Sequence, residues 1–251
     1  TPNIRVDLLE ELNLDVPTTW DELKDVAQKT TQGNVTGFAM CCLQNEEGTF
    51  NFTPWLWSTG ATSYDINNDN GIKALTLVKD LVDAGSMSKE VINWTQGDVM
   101  NQFISGNIAM MVNGPWQVPT MREQAPDLNW DVTLLPKDAE YASCLGGENF
   151  GVIDGDNVDA ALDFLQFATS KDEVASYIDD FGYIAARKDV AEGQFTDDET
   201  MQKFTEEMQY AQPRGPHAQW PEISDALSLA VNESITGTST PADAAAKAQS
   251  T

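Results

Sequence analysis

Aromatic side chains gather where this chain should turn or change element. Phe50, Phe52, Trp55 and Trp57 share one short segment, Trp116 directly follows Asn113-Gly114-Pro115, and Trp220 opens a helical pattern after a proline-containing loop. A pyranose has an apolar C–H face and a rim of hydroxyls. An indole or phenyl ring can cover the face while carboxylates, amides and guanidinium groups satisfy the rim. Rings beside strand C-termini would suit a ligand cleft in an α/β protein. Tryptophan is also an ordinary core residue, and core is the reading taken for Trp20, Trp57 and Trp130. Phe52 and Trp55 fit either role. Trp116, at a strand exit beside Gly-Pro, is the ligand candidate.

Other chemistry is sparse. The only histidine, His217, removes most histidine-based triads and multi-histidine metal sites. No phosphate-cradling or dinucleotide-binding glycine motif occurs. Residues 65–71 imitate a calcium loop, but the glycine comes one position late and Thr76 stands where a bidentate carboxylate is required. A turn capping the next helix is the better reading. No metal and no cofactor is expected. Among 40 acidic residues some pair will always suggest glycoside hydrolysis, whose test is a distance, so a hydrolase is the alternative to a binding protein. Cys41, Cys42 and Cys144 match no zinc spacing and read as buried free thiols, with at most one bond to Cys144 open.

The elements that must hold the aromatics follow from periodicity. Thr19-Trp20-Asp21-Glu22 and Ser170-Lys171-Asp172-Glu173 read as capping boxes. Residues 71–84 carry Ala74, Leu75, Leu77, Val78, Leu81 and Val82 at helical spacing, with Gly85 to end the helix. The spacing predicts further helices over 98–105, 158–169, 198–211, 221–236 and 241–248, and Ala161, Leu162, Leu165 and Phe167 should point inward. Strands are predicted over 37–43, 108–112, 130–135 and 150–153, with 44–49 a polar loop. Strands alternating with helices mean α/β with a mostly parallel sheet.

A net charge of −26 would repel phosphate backbones and anionic lipid, which excludes nucleic acid as a partner. No apolar run is long enough to span a bilayer, and Thr1-Pro2-Asn3-Ile4-Arg5 is not a signal sequence, so any targeting segment lies outside these residues.

These motifs converge on a resemblance. Val16-Pro17-Thr18-Thr19-Trp20-Asp21-Glu22-Leu23 resembles the P-x-T-W-x-E-L segment of extracellular solute-binding proteins of the maltodextrin-binding type. The stretch from Phe103 to Trp116 is similar to that family's F-x-x-G-x-x-A-M-x-x-N-G-P-W. Gly146-Gly147-Glu148-Asn149-Phe150-Gly151-Val152, Gly182-Tyr183-Ile184-Ala185-Ala186-Arg187-Lys188 and Thr238-Ser239-Thr240-Pro241-Ala242-Asp243 extend the likeness over nearly the whole chain.

The resemblance implies a periplasmic-binding-protein-like fold of type II: two α/β lobes with mostly parallel sheets, a helical C-terminal region, and an incomplete N-terminal lobe. Residues 1–146 and 190–251 would form the C-terminal lobe, and 147–189 a remnant of the N-terminal one. Gly146 and Gly147 would be the hinge. It further implies an ABC-importer component binding an oligosaccharide, extracytoplasmic as a cell-surface lipoprotein or in the periplasm. A monomer that meets permease subunits is expected, although a sensing subunit would read the same. Its ligand contacts carry over to Trp116, to Asn51 and Phe52 with Trp55 nearby, to Glu148, and to Ser224, for which Trp220 could substitute one turn earlier. Asn51, Thr49 and Ser224 depart from the family's aromatic, acidic and tryptophan residues, which argues against maltose itself.

Overall fold

The computed structural model describes residues 1–250 as an α/β protein. In chain order the elements are β1 (Pro2–Arg5), α1 (Val6–Glu11), α2 (Trp20–Thr30), β2 (Thr36–Ala39), α3 (Glu46–Ser58), α4 (Asp69–Asp83), α5 (Gln96–Ile104) and β3 (Ile108–Val112). Then follow α6 (Val118–Gln124), β4 (Trp130–Val132), β5 (Ser143–Cys144), α7 (Val158–Ala168), α8 (Lys171–Tyr177) and α9 (Lys188–Ala191). The chain ends with α10 (Glu199–Glu207), β6 (Ala211–Gln212), α11 (Trp220–Thr236) and α12 (Pro241–Gln249).

The main sheet has the order β2-β3-β1-β4. Its strand β3 is the predicted apolar run, and all five of its residues are buried. β2 pairs parallel with β3, and β5 with β6, as the α/β reading expects. β1 runs antiparallel to both β3 and β4. Four residues containing a proline, an asparagine and an arginine carry no readable period, so its neighbours rather than its own pattern make it a strand.

Helix starts follow the local chemistry. Thr19 Oγ1 accepts from the Glu22 amide at 3.3 Å while Glu22 accepts from the Thr19 amide at 3.2 Å, closing the predicted box. Asn68 caps α4 by accepting from the amides of Asn70 and Gly71, so the imitation calcium loop is a helix cap. The box expected at Ser170 does not form. The Ser170 amide already donates to the Phe167 carbonyl at 2.9 Å, which leaves Glu173 no N-cap hydrogen to accept.

One core joins α2, α3 and α4 with the main sheet, α11 and α12. All six predicted stripe residues of α4 are buried there. Residues 147–191 behave differently. The predicted strand 150–153 does not form: these residues pair with no strand among the described residues, and Phe150 and Ile153 are 63% and 90% exposed. α7 forms, but none of its residues is buried: Leu162, Phe164 and Phe167 stay exposed, because nothing among the described residues covers that face. This stretch has only a small cluster of its own, Val174, Ala185 and Val190.

Candidate functional site

Trp116 sits on a short 3-10 turn, Pro115–Gln117, where the chain leaves β3. Buried Asn113 fixes that exit: its side-chain amide donates to the Gln96 carbonyl at 2.8 Å, and its oxygen accepts from the Gly114 amide at 3.0 Å. A Cβ at Gly114 would come within 2.1 Å of the Trp116 ring. Only glycine lets the indole fold back over its own turn.

Two further rings meet the half-buried indole. Phe50 lies 6.0 Å away at 50°, and Tyr183 lies 6.3 Å away at 59°. Both separations are within the range of favourable aromatic contacts. Tyr183 is delivered by Gly182, which has φ +67 and packs so closely on the 115–119 turn that a Cβ would reach the Pro115 carbonyl at 2.8 Å. Phe50 also borders Gly146. The rings therefore meet beside the segments containing Gly146-Gly147 and Gly182.

Phe50 is presented by α3, a helix that the aromatic-rich sequence did not announce. From Gly48 to Ser58 every α3 residue except Phe50 is buried, so the helix is apolar nearly all round and lacks a stripe. Pro54 removes the amide that would bond the Phe50 carbonyl, and the Thr53 hydroxyl donates to that oxygen at 3.4 Å. The Asn45 cap followed by Glu46 and Glu47 was the readable start signal.

A polar cluster adjoins the rings. Glu46, one turn before Phe50 on α3, accepts from the Trp220 indole at 3.0 and 3.1 Å, from the Ser224 hydroxyl and from Arg214. The Arg214 guanidinium lies 4.9 Å over the Phe50 ring. Trp220 and Ser224, one helical turn apart on α11, thus converge on the same carboxylate. Exposed Glu148 stands next to Tyr183, and burial first, then this negative charge, push the Tyr183 phenol above its ordinary range.

Several expected contacts lie elsewhere. Phe52 is 0% exposed and Trp55 2%, both inside the core: Trp55 packs edge-on to Phe38 with centroids 5.8 Å apart. Asn51 is buried too, its amide donating to the Glu47 carbonyl at 3.1 Å. On a fully wrapped helix these three cannot reach a ligand, and Phe50 takes the outward position. Ser224 is buried and ties α11 to α3 through Thr49. Gly147 is exposed with φ +129, and Gly146 is exposed beside it. Sequence reasoning named Phe50 only within its crowd and did not single out Glu46, Tyr183 or Arg214. For Glu46 and Phe50 the i, i+4 spacing behind the Asn45 cap was the usable signal; none marked Arg214.

Faces of aromatic rings beside a carboxylate, a guanidinium and an indole N–H can hold a polyhydroxylated ring without reacting with it. Cys144 borders this region, but burial pushes its thiol up to about 11, so thiolate is scarce at neutral pH. No group of three or more His, Cys, Asp or Glu residues able to hold a metal ion occurs among the described residues.

Residues 1–203 match the family model of the bacterial extracellular solute-binding proteins. The chain belongs to this family. Binding proteins of Brucella abortus strain 2308 and Brucella suis biovar 1 are 27% identical to this solute-binding protein over 259 residues. The alignment takes in 96% of this chain but 63% of each relative. Among solved structures, an ABC-transporter solute-binding protein of Thermotoga lettingae bound with α-D-tagatose is similar at TM-score 0.85 and 26% identity, covering 99% of this chain and 68% of that one. Maltose-bound MalE3 of T. maritima gives the same values. The GacH receptor of Streptomyces glaucescens, solved unliganded and with acarbose, also reaches 0.85 and 26%, over 99% and 66%. The fold of this family member is thus that of the type II periplasmic binding proteins. Family and neighbours are substrate-binding proteins, not enzymes.

Proposed function

We propose that this solute-binding protein captures an oligosaccharide for an ABC importer, stacking sugar rings on Trp116 in a cleft between two lobes. Residues 1–146 and 190–251 belong to one lobe and 147–189 to the other, with Gly146 and Gly147 as hinge. The observation that carries this reading is the convergence of Trp116, Phe50 and Tyr183 beside those glycines, next to the Glu46–Arg214–Trp220 cluster. A ligand held by Trp116 and Phe50 on one side and by Tyr183 and Glu148 on the other touches both lobes. It therefore favours the closed arrangement by its difference in affinity for the two states. The maltose and acarbose complexes of the relatives support an oligosaccharide. Permease subunits are the partners that would recognise closure, and the family supports an extracytoplasmic place, on the cell surface or in the periplasm, for a monomer. No helix among the described residues is long and apolar enough to cross a membrane.

Calorimetry of the full-length protein against a sugar panel tests this. Replacing Trp116 by alanine should weaken binding by about 2 kcal/mol, roughly thirtyfold. Undiminished affinity would refute the stacking role. Released reducing ends on incubation with the panel would instead favour a hydrolase.

A further inference from the structure

A cavity of about 220 Å3 lies away from Trp116, between α11, α12 and the turn that follows α3. Tyr64 and His217 stand together on its wall, ring centroids 5.2 Å apart and tilted 37°. Its apolar floor includes Ile223 and Leu227. The wall is braced. The Tyr64 hydroxyl donates to the Arg214 carbonyl at 3.3 Å, and the Gln249 side chain donates to the Tyr64 carbonyl while accepting from the Ile66 amide at 2.9 Å.

The polar groups facing this space are of both kinds. His217 Nδ1 accepts from the Gln219 amide at 3.1 Å, so the neutral ring carries its proton on Nε2 as a donor. Glu222 supplies an exposed carboxylate and Gln219 an amide. No lysine or arginine lines the cavity, which disfavours an anion. Its volume is below the ~300–1,000 Å3 of pockets for drug-sized ligands. An apolar floor, two neighbouring tilted rings and mixed donors and acceptors match a single neutral sugar ring.

The first site is close by along the chain. The loop before α11 supplies Arg214 to the Phe50–Glu46 cluster and His217 and Gln219 to this cavity, Trp220 at the start of α11 joins the cluster, and Tyr64 is bonded to the Arg214 carbonyl. Resting on the sugar-binding reading above, we propose that the Tyr64–His217 cavity is an additional subsite. It takes one more pyranose of a ligand whose other rings lie on Trp116 and Phe50, which makes the ligand a trisaccharide or longer.

Titration calorimetry with di-, tri- and tetrasaccharides of several linkage series, on the wild type and on His217→Ala and Tyr64→Ala, tests it. Both side chains are exposed, so the variants should fold, and circular dichroism checks that they do. In at least one series the wild type should bind the longer sugars more tightly than the disaccharide, and each substitution should remove about tenfold of that gain, with disaccharide affinity unchanged in His217→Ala, whose side chain makes no bond to the Phe50–Glu46 cluster. Affinity that stops rising at the disaccharide in every binding series, or a gain that survives both substitutions, overturns the subsite while leaving the Trp116 site standing. Binding in no series overturns that reading and this inference together.

Discussion

α4 and α7 carry the same kind of apolar spacing yet end in opposite surroundings. In α4 every stripe residue is buried, and the helix packs on α11, α12 and α3; in α7 no residue is buried, and Leu162 and Phe167 are exposed. The difference teaches that periodicity specifies a helix, whereas burial requires a second surface to receive the stripe. The first property belongs to the segment and the second to its surroundings. The chain spans 63% of the length of its Brucella relatives.

The sharpest way to break this comparison is a pair of truncations. Leu75→Ala in the fully buried stripe should cost about 2–5 kcal/mol in denaturant unfolding, by lost burial and the cavity left behind. Phe164→Ala in α7, 60% exposed, should stay within about 0.5 kcal/mol. Equal costs would show that α7 is covered in solution. Next in size is Gly114→Ala. A Cβ overlapping the Trp116 ring should cost about 1–3 kcal/mol and displace the indole, weakening sugar binding while every ring remains present. Unchanged affinity would mean that the folded-back indole is not the binding geometry.

Thr19→Ala should remove about 1 kcal/mol through the lost N-cap bonds, whereas Ser170→Ala, whose side chain makes no capping bond, should change almost nothing. The smallest effect belongs to pH. The Arg122 guanidinium, bonded to Asp198 at 2.7 and 2.8 Å, holds that carboxyl below its ordinary range. A depressed folded pKa gives stability that is complete above the unfolded value, about 4, and is lost as pH falls through the folded one. Arg122→Ala should therefore lower stability slightly at neutral pH, by an amount kept small because the pair is partly exposed, and the two profiles should converge as pH falls below about 4. Parallel profiles for wild type and variant would remove this pair from acid unfolding.

What could be read in advance was whatever is local. The Thr19 box, the cap of α4, the buried run 108–112 and the stripe of α4 are fixed within a few residues of themselves, and they stand as expected. β1 escaped because its strand character comes from partners more than a hundred residues away. α3 escaped because a helix buried on all sides has no amphipathic period, and Gly48 and Pro54 further disguise it. That one missing helix accounts for the misplaced ring. Without a helical register, Phe50 cannot be told from Phe52 as the residue that faces out, and Glu46 cannot be recognised as its neighbour one turn away.

The arrangement of Trp116 also equips the molecule with an optical gauge. Of its seven tryptophans, Trp20, Trp55 and Trp57 are sealed from solvent and Trp94 and Trp130 are half-covered outside the candidate site, whereas Trp116 and Trp220 stand half-covered within it. Emission from the sealed indoles should hold steady when a guest arrives. Any wavelength shift would then originate largely beside Gly114 and Glu46, and intrinsic fluorescence would follow occupancy without an attached dye.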